Sequence, residues 1–251
     1  MSFSSINKPI SGSRNPVSYI NGLTADWASN TTLTLNVGEC SDSLNIIDIV
    51  VSDALTIDAA TTGALGLDTG ALTTSKFYYV FVIGDSSGYN LPSALISLSP
   101  TAPIMPYGYD TFRMVDIKVT DGSSHFLLSY TNGQYGNREF IYDAPLTTGS
   151  SALTTSYVAL PLTNCVAPIG KPSVNFVATF TPNAPANIAY VQPTGSTGNE
   201  TKLSGVVAAV AQVADLQCMA FVVTGVASVS LKASAATDTL VLLVKSFTYN
   251  V

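Results

Sequence analysis

The sequence predicts an all-β protein with three parts: an extended N-terminal arm, an antiparallel β-meander or barrel-like domain, and a C-terminal β-sandwich of jelly-roll type. Charged residues make up only 10% of the 251 residues, far below the roughly 25% of ordinary soluble domains. The polar surface is therefore left to Thr, Ser, Asn and Gly, which favour strands and turns over long helices. Short apolar or alternating segments recur between turn signals, and neither a heptad nor a solenoid period runs through the chain.

Residues Met1 to Asn21 carry Pro9, Gly12 and Pro16 without sustained periodicity, which reads as an arm that is disordered or laid across a neighbouring subunit. The first domain is expected over 22–136. Thr31 to Val37 alternates polar and apolar residues with period two, as a strand with one wet face does. Ile46 to Val51 is a β-branched run broken by Asp48, and Phe77 to Ile83 is aromatic and β-branched throughout. Strands follow at Phe112 to Val119 and Phe126 to Tyr130, joined across the Asp121-Gly122 turn.

The glycine-bearing stretch Tyr130 to Asn137 marks the domain boundary. In the second domain, 137–251, strands are expected at Tyr157 to Pro161, Val174 to Phe180, Ile188 to Gln192, Gly205 to Val213, Cys218 to Val223, Ala227 to Lys232 and Thr239 to Tyr249. That density of short strands is the signature of a β-sandwich. The alanine-rich segment Val206 to Leu216 also admits a short helix.

Composition narrows the function. The net charge is −6, and ten Lys and Arg residues are scattered without a cluster. Nucleic-acid binding neutralises phosphates with grouped cations, so no nucleic-acid partner is expected. The acids crowd the first half. From Asp143 onward Asp143, Glu200, Asp215 and Asp238 face four lysines, at 171, 202, 232 and 245. Cys40, Cys165 and Cys218 are an odd number without a CxxC pair, which reads as buried thiols in a protein folded in a reducing cytoplasm. The N-terminus has no apolar core of a signal peptide. The longest apolar stretch, Gly205 to Val223, is broken by Gln212, Asp215 and Gln217, so no membrane span is expected.

Three stretches have the form of catalytic or metal motifs. Leu67-Asp68-Thr69-Gly70-Ala71 matches the Asp-Thr-Gly loop of aspartic proteases. That chemistry needs two carboxylates sharing one proton, and the chain holds one such motif. Gly84-Asp85-Ser86-Ser87-Gly88 has the form of a serine-hydrolase loop. A serine nucleophile needs a base, and the only histidine, His125, follows the serine in a hairpin. Asp42, Asp48, Asp53 and Asp58 lack the alternating spacing of a calcium loop. The first two read as turns and the acids fall partly in strands, and neither catalytic residues, nor a cofactor, nor a metal is expected. The tyrosines 107, 109, 130, 135 and 142 admit two readings: a sugar-stacking platform, or amphipathic filler at subunit contacts.

The stretch Gly66-Leu67-Asp68-Thr69-Gly70-Ala71-Leu72, followed by the aromatic strand and Val82-Ile83-Gly84-Asp85-Ser86-Ser87-Gly88-Tyr89-Asn90, resembles a β module of tailed-bacteriophage virion structural proteins. The likeness continues through Leu95 to Ser99, Pro106-Tyr107-Gly108-Tyr109-Asp110, the strand from Phe112, and Asp121-Gly122-Ser123-Ser124, covering roughly Gly22 to Tyr135. Relatives often place a tryptophan where this chain has Phe77. The resemblance implies a β module in fibre, tail or capsid-associated proteins, and transfers no active site. The expectation is a virion component, serving as capsid decoration, head fibre or tail protein. It would be made in the host cytoplasm and assemble as a homo-oligomer with major capsid, portal or tail proteins. The alternative is a module binding host-surface glycans, with an aspartic or serine hydrolase a distant third.

Overall fold

In the computed structural model, the structure describes residue 16, residues 18–134 and residues 136–251. Every element among them is a strand, so the fold is all-β. The chain divides into two compact units, Met1–Arg138 with Val251, and Glu139–Asn250.

The first unit begins with β1 (Ile20–Gly22), β2 (Ala25–Trp27), β3 (Thr32–Leu35), β4 (Gly38–Ser41), β5 (Asp48–Val51) and β6 (Leu55–Asp58). It continues with β7 (Gly66–Leu67), β8 (Phe77–Gly84), β9 (Ser93–Ser97), β10 (Thr111–Val119) and β11 (Ser129–Gln134). Most of the arm expected over Met1 to Asn21 lies outside the described residues. Its end does not stand apart: Ile20 is fully buried and pairs with Cys40 in β4.

The alternation expected at 31–37 holds within β3, where Leu33 and Leu35 are fully buried, but the strand stops at Leu35 and Val37 is exposed. The barrel-like expectation is corrected. The strands form separate open sheets of order β1-β4-β5, β2-β3-β6 and β10-β8-β9-β7. A barrel needs one continuous ring of tilted, hydrogen-bonded strands. Here the longer strands β8 and β10 pair in a sheet of their own, and the strands of three or four residues before β7 make two separate three-stranded sheets. The sheets instead share one core, in which Leu33, Leu35, Ile49 and Ile57 meet Tyr78, Val80, Val82 and Ile96. Phe126 to Tyr130 is also not a single strand. Phe126 makes an isolated bridge to Thr120, and β11 starts at Ser129.

The boundary between the units falls between Arg138 and Glu139. Just before it, Gly133 has φ +119°, and a Cβ there would sit 2.2 Å from the Asn137 carbonyl oxygen. Only glycine fits both the backbone and the space.

The second unit holds β12 (Asn137–Ala152), β13 (Val158–Pro161), β14 (Ser173–Thr181), β15 (Ile188–Pro193) and β16 (Thr201–Ser204). After them come β17 (Gln212–Met219), β18 (Phe221–Val223), β19 (Val226–Ala233) and β20 (Thr239–Asn250). One sheet runs β12-β20-β14-β17 and the other β13-β19-β15-β16, with β18 a short hairpin partner of β19. Leaving β18 aside and lettering the strands B to I in chain order, the sheets read B-I-D-G and C-H-E-F. This is the jelly roll, in which two Greek keys fold a doubled ribbon.

Along β14 the buried residues alternate strictly: Val174, Phe176, Ala178 and Phe180 point inward. In β20 Leu240, Leu242 and Val244 are buried, and then the parity changes to Phe247 and Tyr249. The cause is a β-bulge. Phe176 pairs with Val244 but Asn175 with Ser246, so Lys245 is the extra residue.

Of the strand expected at Gly205 to Val213 only Gln212 and Val213 are strand, as the start of β17, and the alternative helix does not form. Residues 205–211 form a turn, closed by the backbone bond from Ala209 N to the Pro182 carbonyl. Without an apolar stripe to bury, the alanines gain too little from a helix in so short a loop.

Candidate functional site

The Asp-Thr-Gly and Gly-Asp-Ser motifs both act as braces between loops. Asp68, just after β7, accepts a hydrogen bond at 3.0 Å from the backbone N–H of Ile104. Ser86 donates through its N–H at 2.8 Å, and through its hydroxyl, to the Asp110 carboxylate. His125 pairs instead with Asp121 in its own turn, the ring Nδ1 3.8 Å from the carboxylate. The structure thus joins Ser86 to Asp110 and His125 to Asp121.

The early acids serve separate turns. Asp42, buried, accepts from the backbone N–H groups of Ile46 and Ile47 at 2.6 and 3.0 Å. Asp48 accepts from the Ser41 hydroxyl, Asp53 from the Ser52 hydroxyl, and Asp58 from the Ala60 N–H. No group of three or more metal-ligating side chains occurs among the described residues.

The three cysteines are free thiols and buried. Burial pushes Cys40 up to about 12, and Cys165 and Cys218 up to about 11. The folded Cys40 therefore keeps its proton where an unfolded thiol, near 9, loses it. The resulting stability is complete below pH 9 and declines as pH rises toward about 12. A Cys40→Ala variant is expected to lose stability less steeply over that window in pH-dependent urea denaturation. At pH 8 all three thiols are expected to resist a thiol reagent until the protein unfolds.

Of the two readings of the tyrosines, the platform does not form as one surface. Tyr142 is buried in the second unit, its hydroxyl donating to the Cys165 carbonyl at 2.9 Å. Tyr130 is half exposed on β11, and Tyr135 lies outside the described residues. Tyr107 and Tyr109 do belong to a site, together with a residue outside the expected set, Tyr89. These three line an open cleft of about 530 Å³ with Asp85, Ser87, Asn90, Gly108 and Asp110.

Two loops build this cleft: 85–92, which leaves the aromatic strand β8, and 98–110, which enters β10. Asp85 organises the first. One oxygen accepts from the Ser87 N–H and hydroxyl at 2.8 and 2.5 Å, the other from the Asn90 N–H and side-chain amide at 2.9 and 3.0 Å. The Ser87 hydroxyl, ahead of the Asn90 amide, holds the Asp85 carboxyl down at about 2. Asn90 then ties the loops together, donating to the Gly108 carbonyl at 2.9 Å. Gly108 has φ +87°, and a Cβ there would lie 2.7 Å from the Asn90 amide nitrogen. The Tyr109 hydroxyl donates across to the Leu91 carbonyl at 3.2 Å. Tyr89 and Tyr107 are left at the rim, 93% and 105% exposed.

Two further groupings lie in the jelly roll. A cleft of about 410 Å³ on the β12-β20-β14-β17 sheet is lined by Glu139, Asn175, Asp215, Lys245 and Ser246 among others. There Glu139 accepts from the Ser246 hydroxyl at 2.5 Å and the Asn175 amide at 3.2 Å. On the other sheet Lys232 lies 4.3 Å from the Tyr157 ring centre and 4.6 Å from that of Tyr190, and pairs with Glu200 at 3.0 Å. Lys232 is thus held by two rings and a carboxylate at once.

No family model matches the chain, and no curated protein matches it. Among solved structures, the infectious bursal disease virus VP2 subviral particle overlaps 96% of this chain and 69% of its own, at 11% identity and a TM-score of 0.24. A likeness of that extent carries no argument about fold or function.

Proposed function

We propose that the protein is a structural component of a bacteriophage virion. It is displayed on the head or tail and acts by assembly with capsid, portal or tail proteins and with copies of itself. The observation that carries the assembly role is an uncharged apolar loop at the surface of the second unit. In the loop Val206, Val207 and Val210 are 73%, 52% and 51% exposed, and Val213, just inside β17, is 68% exposed. No charged residue interrupts Gly205 to Ala214. Apolar residues gathered on one exposed segment mark a protein contact. A second copy suits this one, since a neutral surface meets its own image without like charges opposing.

Two supports stand beside it. The jelly roll is a recurrent unit of viral capsids, although lectins share it and a fold alone does not choose between them. The resemblance over Gly22 to Tyr135 supplies the phage context. Mass spectrometry of purified particles tests the reading, because a chain absent from them has no virion role. In solution, light scattering is expected to show an oligomer that the double change Val206→Asp and Val213→Asp reduces to monomers with unaltered circular dichroism. A wild-type monomer would remove the self-association.

A further inference from the structure

We infer that the cleft between loops 85–92 and 98–110 is a binding site for a neutral saccharide. This goes beyond the assembly role and does not depend on it.

The first argument is exposure without a structural task. Tyr109 spends its hydroxyl on Leu91, whereas Tyr89 and Tyr107 stand at the rim almost wholly in water. An aromatic ring offers a flat apolar face and one polar tip. Two such rings beside a polar floor match a sugar, whose axial C–H groups form an apolar face edged by hydroxyls.

The second argument is what the floor leaves open. A carboxylate has about four acceptor positions. Those of Asp85 are filled by four protein donors, so Asp85 is a pillar that holds the loop and not a ligand contact. Asp110 accepts two bonds, both from Ser86, and keeps two positions. The Asn90 amide nitrogen is committed to Asp85 and Gly108, which turns its oxygen into an acceptor for a ligand. The floor therefore asks for hydroxyl donors.

The third argument is charge. Asp85 and Asp110 line the cleft and no Lys, Arg or His does, which disfavours an anionic sugar such as a sialoside. At about 530 Å³ the space falls in the ordinary range for small-ligand sites, roughly 300–1,000 Å³, and accommodates a mono- or disaccharide. The loops are already cross-braced by Asn90, so little ordering opposes binding.

The test applies the full chain to an array of neutral and sialylated oligosaccharides, followed by saturation-transfer NMR with the neutral sugars. Binding to at least one neutral saccharide is expected. Tyr89→Ala and Tyr107→Ala are each expected to weaken it about tenfold. Tyr89→Phe should keep most of the affinity, because the ring face does the stacking. Both tyrosines are exposed, so circular dichroism should be unchanged. Absence of neutral-sugar binding, preference for sialylated sugars, or binding indifferent to both alanine changes would each overturn the inference. None of these results bears on whether the chain is found in particles.

Discussion

Replacing Asp116 by alanine is expected to destabilise the protein by about 3–5 kcal/mol, as removal of one member of a buried ion pair does. Asp116 and Lys118 stand two apart on β10, hence on one face of the strand. Both side chains are wholly buried, with the ammonium 3.5 Å from the carboxylate. Burial draws the Lys118 pKa downward, and the Asp116 charge opposes that shift. The same carboxylate accepts from the Ala25 N–H at 2.6 Å and the Thr131 hydroxyl at 2.9 Å. Alanine would thus take the carboxylate away from a buried cation and from the backbone N–H groups of Ala25 and Ile117. Asp116→Asn keeps an acceptor for Ala25 and should cost less. The double change Asp116→Leu with Lys118→Met, which removes both charges, should recover a large part of the loss. Urea denaturation with an unchanged m-value would measure these differences. A single Asp116→Ala midpoint equal to wild type would refute the account.

The second large effect belongs to the jelly roll. Phe247→Ala is expected to cost about 3–5 kcal/mol, the usual result of emptying a buried phenyl site. Phe247 stacks on Phe140 with ring centres 5.2 Å apart, and Phe140 meets Tyr142 edge-on at 4.8 Å. These rings come from β12 and β20, the first and last strands of the unit, which are neighbours in one sheet. The cluster therefore closes the doubled ribbon on itself. Thermal unfolding should show the loss directly, and Phe247→Leu, which keeps most of the volume, should show a markedly smaller one. Equal melting temperatures for alanine and wild type would count against the cluster as the closing element.

What could be read from the amino acids alone follows from these cases. The alternating strands at 32–35 and 173–181 were legible because period-two burial is written in residue type, and the strand at 77–84 because an unbroken aromatic and β-branched run suits a strand covered on both faces. The phase change in β20 was not. The sequence Val244-Lys245-Ser246-Phe247 does not announce a bulge, which depends on pairing with β14. The Asp116–Lys118 pair was illegible for the opposite reason, since charges on a strand ordinarily mark its wet face. They lie inside because β10 is covered on both faces from Val115 to Val119, which residue type does not reveal. The candidate cleft was half legible. Tyr107 and Tyr109 drew notice as aromatics, but Tyr89 joins them only because Asn90 reaches Gly108 across 18 residues. The loop at 206–211 misled because its valines favour a strand, while β17 starts only at Gln212.

The way the chain re-enters its first unit has a consequence for how such proteins diversify. After the whole jelly roll, Val251 donates its N–H to Gly136 at 2.9 Å and receives Arg113 on its carbonyl at 2.8 Å. The polypeptide comes back to within a hydrogen bond of where it departed. A segment with entry and exit side by side is a cassette: its host needs no rerouting when the insert is exchanged for another of different size.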